Sequence, residues 1–189
     1  MKFETVSGPA IEPVSVDEAR EQYRNEFGDE SDSFVSGLVA AARSWAEGYI
    51  RARLITQTVR GRFAGFPPVL TLPIHPVQAV ASITYLDAAG EQQTLAPEAY
   101  RLVSSGTLPF IAPSYAGTWP VTRMDWDAVT VELEVGYGDA ASDVPPEITQ
   151  AIKMMVGHFY RHREAVSEIA LSQVPLSVEA LLGPSRFWV

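Results

Sequence analysis

Cysteine is absent from the 189-residue chain, histidine occurs three times, and acids outnumber bases 23 to 14. Without cysteine there is no disulfide framework, no thiolate nucleophile and no zinc site of the cysteine type, so a reducing compartment is permitted. A net charge of −9 repels phosphate backbones, which argues against a sequence-reading nucleic-acid binder. No apolar run reaches the length of a membrane span, and the opening MKFETVSGPAIEPVSVDEAR lacks the basic segment and apolar stretch of a signal peptide. The expectation is a soluble protein made in the cytoplasm, with no membrane partner. Its length suits one domain, or a core carrying a sizeable insertion.

What charge there is alternates along the chain. Residues 1–32 hold nine acids and three bases, residues 33–64 one acid and five bases, and residues 65–144 nine acids and two bases. Such alternation could set one copy's acidic face against a neighbour's basic one, or simply be solvated surface.

Helix, strand and helix again follow in order. Ser15-Val16-Asp17-Glu18 has capping-box spacing and predicts a short helix from about Val16 to Phe27, stopped by Gly28. Asp29 to Asp32 supply a turn and a new N-cap. From Ser33 to about Arg53, Phe34, Leu38, Ala42, Trp45 and Tyr49 recur at helical steps and predict a long amphipathic helix. Gly37, Ala40, Ala41 and Gly48 would let another backbone approach it closely.

From about residue 56 to 136 the runs are β-branched and short: ITQTVRGRF, VLTLPI, VQAVASITYL, QTLAPEAYRLV, AVTVELEV. Asp87-Ala88-Ala89-Gly90 reads as a hairpin turn. Helix returns at Pro146, suited to a first turn, with Glu147 complementing the dipole and Ile148, Ile152, Met155 and Phe159 as its buried stripe. One more short helix, Val178 to Leu182, ends at Gly183-Pro184. The predicted class is α+β, a helical core with an inserted antiparallel β domain: residues 1–55 the N-terminal part of the core, 56–144 the insertion, 145–189 the C-terminal helix and docking tail.

Few constellations carry chemistry. His158 and His162 stand one helical turn apart, but a metal site needs a third ligand, and there is no H-E-x-x-H pattern; a helix end whose basic residues complement the dipole accounts for them better. Gly136-Tyr137-Gly138-Asp139-Ala140-Ala141 has the form of a dinucleotide fingerprint, yet Ser142 to Pro146 interrupt the strand-to-helix turn it requires, and glycines leaving a sheet are the simpler reading. Asp125 and Asp127 read as a solvated strand entry rather than an acid/base pair, and Ser104, Ser105 and Ser114 lack a histidine motif. No cofactor and no metal is expected. The segment from 104 to 126, with Tyr115, Trp119 and Trp126, reads as a long aromatic loop. The apolar end Phe187-Trp188-Val189 would either fold back or enter a partner's groove.

The ordered set of PVSVDEAREQYR, DSFVSGLVAAARSWAEGYIRARLITQT, LPIHPVQAVASITYLDAAGEQQTL, VTVELEVGYGDAASDVPPEITQAIKMMVGHFYRHRE and VPLSVEALLGPSRF resembles the head-tail connector (adaptor) proteins of long-tailed bacteriophages and of gene transfer agents, over about residues 11 to 187. That resemblance implies a non-enzymatic virion protein at the head-tail joint. It would form a dodecameric ring beneath the portal protein, pass DNA through a central channel without reading it, and receive a stopper or tail-terminator protein below. The residues expected to act are Leu181, Leu182, Phe187, Trp188 and Val189 in portal or neighbour docking, Arg51, Arg53, Arg60 and Arg62 in inter-subunit charge contacts, and Tyr115, Trp119 and Trp126 in loop contacts. The rival expectations are a carbohydrate- or protein-binding β module and a small metal-dependent enzyme built on His158 and His162.

Overall fold

A computed structural model of the chain describes residues 3–23, 27–105, 108–162 and 175–187. The described residues divide into two compact units: a β unit within Met1–Ala10, Thr56–Tyr137 and Phe187–Val189, and a helical unit within Ile11–Ile55 and Gly138–Arg186. Helices and antiparallel sheets together make the fold α+β.

In the β unit, β1 (Phe3–Ser7), β2 (Gln57–Phe63), β4 (Val77–Leu86), β5 (Gln92–Thr94) and β8 (Val129–Val135) form a five-stranded antiparallel sheet in the order β1-β2-β8-β4-β5. A second, three-stranded antiparallel sheet has the order β3-β7-β6, from β3 (Leu70–Thr71), β6 (Tyr100–Val103) and β7 (Phe110–Pro113). The last strand, β8, thus inserts between β2 and β4, so the order is not that of a simple meander.

The alternation in VTVELEV explains why β8 is central. Val129, Val131, Leu133 and Val135 face inward and are buried, while Thr130, Glu132 and Glu134 point out. With Val59, Leu70, Leu72, Ile74, Val77, Ile83 and Ile111 they form one core, each fully buried side chain contributing roughly 2 kcal/mol of transfer free energy. At the hairpin after β4, Gly90 adopts φ +87° and its amide reaches the Asp87 carbonyl at 2.9 Å, as the turn requires. β1 and β7 have no counterpart in the expectations: β1 lies within a stretch assigned to the helical part, and β7 within the 104–126 loop.

In the helical unit, α1 (Val16–Gln22) begins with the expected capping box, Ser15 Oγ accepting from the Glu18 amide and Glu18 accepting from the Ser15 amide. Hydrogen bonding from the Ser15 backbone, then from Lys153, holds the Glu18 carboxyl below its ordinary value. α2 (Asp32–Ile50) starts at the Ser31 cap. Its buried stripe is Val35, Val39, Ala42, Ala46 and Ile50, so the expected face is rotated by one position: Phe34, Leu38, Trp45 and Tyr49 flank it, half-buried. Gly37 and Gly48 face open space rather than a packed backbone.

α3 (Pro146–Arg161) packs against α2 and buries Ile148, Ala151, Ile152, Met155, Val156 and Gly157. Gly157 is there for clearance, since a methyl group would overlap the Tyr23 ring. That ring leads an aromatic cluster of Phe27, Phe34 and Tyr160, with Phe27 and Tyr160 edge to face at 4.6 Å. α4 (Leu176–Leu182) docks on α3 through Val178 and Leu182.

Candidate interaction surfaces

The segment after β7 begins with a tight turn in which the Gly117 amide donates to the Ser114 carbonyl at 2.8 Å. Tyr115 stands at its tip, 98% exposed. Trp119 turns back, stacks on Phe66 at 4.7 Å with the rings 10° apart, and donates its Nε1 proton to the Pro68 carbonyl at 3.4 Å. It packs against the β core. The chain then runs beside the β4–β5 hairpin, where Thr122 bridges Asp87 and the Arg123 amide donates to the Leu86 carbonyl at 3.0 Å.

Beyond that anchor the side chains leave the core again: Met124 is 99% exposed, Trp126 88% and, just before them, Val121 76%. Ala64, Arg123, Met124, Asp125 and Trp126 line an open cleft of about 480 Å³. The three aromatic residues expected to act together are thus divided, Trp119 serving the core while Tyr115 and Trp126 stand outside. Val121 and Met124 join the exposed group, which sequence reasoning missed because a lone valine or methionine in a loop carries no signal of its own.

The four arginines also separate. On the outer face of the large sheet Arg60 holds Glu132 at 2.7 Å, and Arg62 holds Glu4 at 3.0 Å. Arg60 lies directly opposite Glu132 on β8 and opposite Glu4 on β1, so Arg62, two residues further along β2, meets Glu4 on the diagonal. Together with Ser82, Thr84, Gln92 and Thr130 they line a shallow polar cleft of about 310 Å³. Arg51 and Arg53, at the end of α2, differ: among the described residues neither pairs with a carboxylate. Arg51 closes the helix in the left-handed region with φ 58° and is exposed.

At the C-terminal end Leu181 is half-buried and Leu182 fully buried, and Arg186 lies over the Tyr49 ring at 5.0 Å. Phe187, 8% exposed, stacks on His75 at 5.4 Å, with Tyr137 edge-on to the same imidazole at 6.4 Å. In this apolar setting burial lowers the His75 pKa, and its Nδ1 has no hydrogen-bond partner among the described residues. Trp188 and Val189 lie outside the described residues.

His158 and His162 have ring centroids 4.7 Å apart on the last turn of α3. Burial, the charge of His162 and that of Arg161 lower the His158 pKa. Among the described residues no group of three potential ligands includes them. Asp125 accepts from the Trp126 amide at 2.7 Å, and it and Asp127, in the following turn, are both exposed ahead of β8.

No family model and no curated protein matches the chain. Solved structures do. Over its whole length the chain is similar to a chain in the virion of a native gene transfer agent particle, at 25% identity, with a TM-score of 0.82 and 97% of that chain covered. It is similar in the same way to a chain in the neck of an empty gene transfer agent particle computed with C6 symmetry, at 25% identity and a TM-score of 0.81. A chain in the neck of a native particle computed with C12 symmetry shares the fold at 22% identity and a TM-score of 0.76, again with 97% covered.

Proposed function

We propose that the chain is a structural protein of the head-tail neck in a gene transfer agent or long-tailed phage particle, and specifically the connector that joins head to tail. Copies close into a dodecameric ring beneath the portal, extend the DNA channel and present the surface on which a stopper or tail-terminator protein sits. No catalysis is involved. The observation that carries this reading is the full-length likeness to chains of gene transfer agent virions and necks, with nearly all of each neighbour covered and 25% identity in two of them.

The physical properties of the chain fit the role. A ring of identical copies needs two different complementary surfaces on each copy, and the exposed apolar segment around Trp126 and the Arg51–Arg53 end of α2, where neither arginine pairs with a carboxylate among the described residues, provide two. A channel that conducts DNA must not hold it, and a net charge of −9 suits that task. In the docking tail, Leu182 and Phe187 are each buried within their own unit, which leaves Leu181, Trp188 and Val189 as the residues to meet the portal or a neighbour. Electron microscopy of particles from a strain lacking this gene tests the role: DNA-filled heads apart from finished tails are expected, and normally tailed particles would reject it.

A further inference from the structure

The exposed segment of the β unit has the make-up of an interface anchor. Tyr115, Val121, Met124 and Trp126 stand in solvent within a dozen residues, and tryptophan, tyrosine and methionine are enriched where protein surfaces meet. Acids flank the most prominent of them: Asp125 and Asp127 bracket Trp126, and among the described residues neither makes an ion pair. A partner for this surface should offer aromatic area and free positive charge.

The same chain carries that complement. At the C-terminal end of α2, Trp45 and Tyr49 stack at 5.2 Å with rings 18° apart, and both are half-buried. Arg51 and Arg53 follow directly, without carboxylate partners among the described residues, in the only stretch of the sequence where bases outnumber acids five to one. We infer that the 114–127 segment of one copy docks on the end of α2 of a second copy, with Met124 and Trp126 covering the Trp45–Tyr49 pair and Asp125 and Asp127 pairing with Arg51 and Arg53.

The occupant is a second copy because both halves of the contact, an acidic apolar knob and a basic aromatic seat, are present on one chain. They are different surfaces, so a heterologous contact between them passes from copy to copy and closes into a ring where its rotation allows. Charge complementarity at its rim selects the register and speeds encounter, while the aromatic contact supplies most of the affinity. This contact rests on the connector reading, which supplies the ring.

The lack of cysteine makes the test direct. Full-length Asp127→Cys and Arg53→Cys proteins, mixed and mildly oxidised, are expected to form the mixed disulfide dimer several-fold more readily than either homodimer. The double variant should give a ladder of covalent oligomers. Separately, reversing Asp125 and Asp127 to arginine should weaken self-association several-fold, and reversing Arg51 and Arg53 to aspartate in the same chain should restore it. Homodimers as abundant as the mixed species, no ladder, or no restoration would overturn the contact. If particle necks nonetheless contain rings of this chain, only this contact falls and the connector reading stands; particles without such rings sink both.

Discussion

In the β unit the ion pairs among the described residues lie on the outer face of the large sheet, whereas in the helical unit charge penetrates the interior. Arg60 and Glu132 meet over a core of valine, leucine and isoleucine that does not depend on them. Glu47 of α2, by contrast, is buried: it takes Arg43 at 3.1 Å and the Leu54 amide at 3.0 Å, while Arg43 also reaches Glu12 at 2.7 Å. Burial alone would lower the Arg43 pKa, but the two carboxylates outweigh it and raise it. The difference teaches where each unit can tolerate change. Surface charge on the sheet is free to serve contacts, while the Arg43 cluster ties the segment before α1, the body of α2 and the exit from α2 at Leu54 into one structure.

The sharpest way to break this comparison is to remove one carboxylate from each unit. Glu47→Ala leaves the Leu54 amide without its partner and the largely buried Arg43 guanidinium with Glu12 alone, and should cost about 3 kcal/mol of unfolding free energy in denaturant titration. Glu132→Ala removes a half-exposed pair and should cost about 0.5 kcal/mol. Equal losses would mean that the sheet depends on its outer charges after all.

A smaller effect is expected from added volume. Gly157→Ala gains helix propensity but drives a methyl group into the Tyr23 ring, for a net cost of about 1 to 2 kcal/mol. Gly61→Ala, the counterpart in the β unit, meets the ring of Phe3 on edge strand β1, which is free to shift, and should cost less. Melting temperatures of the two variants order them.

Smaller still is the response to mild acid, which both units share. His75 and His158 have folded-state pKa values below the ordinary 6.5, so as pH falls below that value the unfolded chain binds protons that the fold resists. Stability should therefore be full above about pH 7 and decline as pH drops through the range between 6.5 and the lowered values. His75→Gln should flatten that decline. A profile unchanged by the substitution would mean that the His75 imidazole is not held away from water by Phe187.

Much of the fold was legible because its signals are local. The Ser15–Glu18 box, the Gly90 turn, proline and Glu147 opening α3, and the alternation of VTVELEV each need only a few neighbouring residues. What escaped depends on partners far away in sequence. β1 is a strand because β2 offers it an edge, and FETVS by itself shows little inward apolar face. The face of α2 is rotated by one position because α3 and α4 decide which side is covered, and Phe34, Leu38, Trp45 and Tyr49 fit helical steps as well as the residues that are buried.

The candidate surfaces were legible to the same degree. Tyr115 and Trp126 are exposed as a loop aromatic is expected to be, but Trp119 in the same loop is drawn inward by Phe66, a contact across more than fifty residues of chain. Arg60 and Arg62 look like Arg51 and Arg53 in the sequence, and only the strand register sets Arg60 against Glu132 and brings Arg62 to Glu4.

The most direct test of the account is an electron cryomicroscopy reconstruction of the neck of particles that contain this chain. The account predicts density for both compact units, repeated in a closed ring between the portal and the first tail proteins. Finding the chain instead at the tail tip, on the capsid surface, or as isolated copies would contradict it.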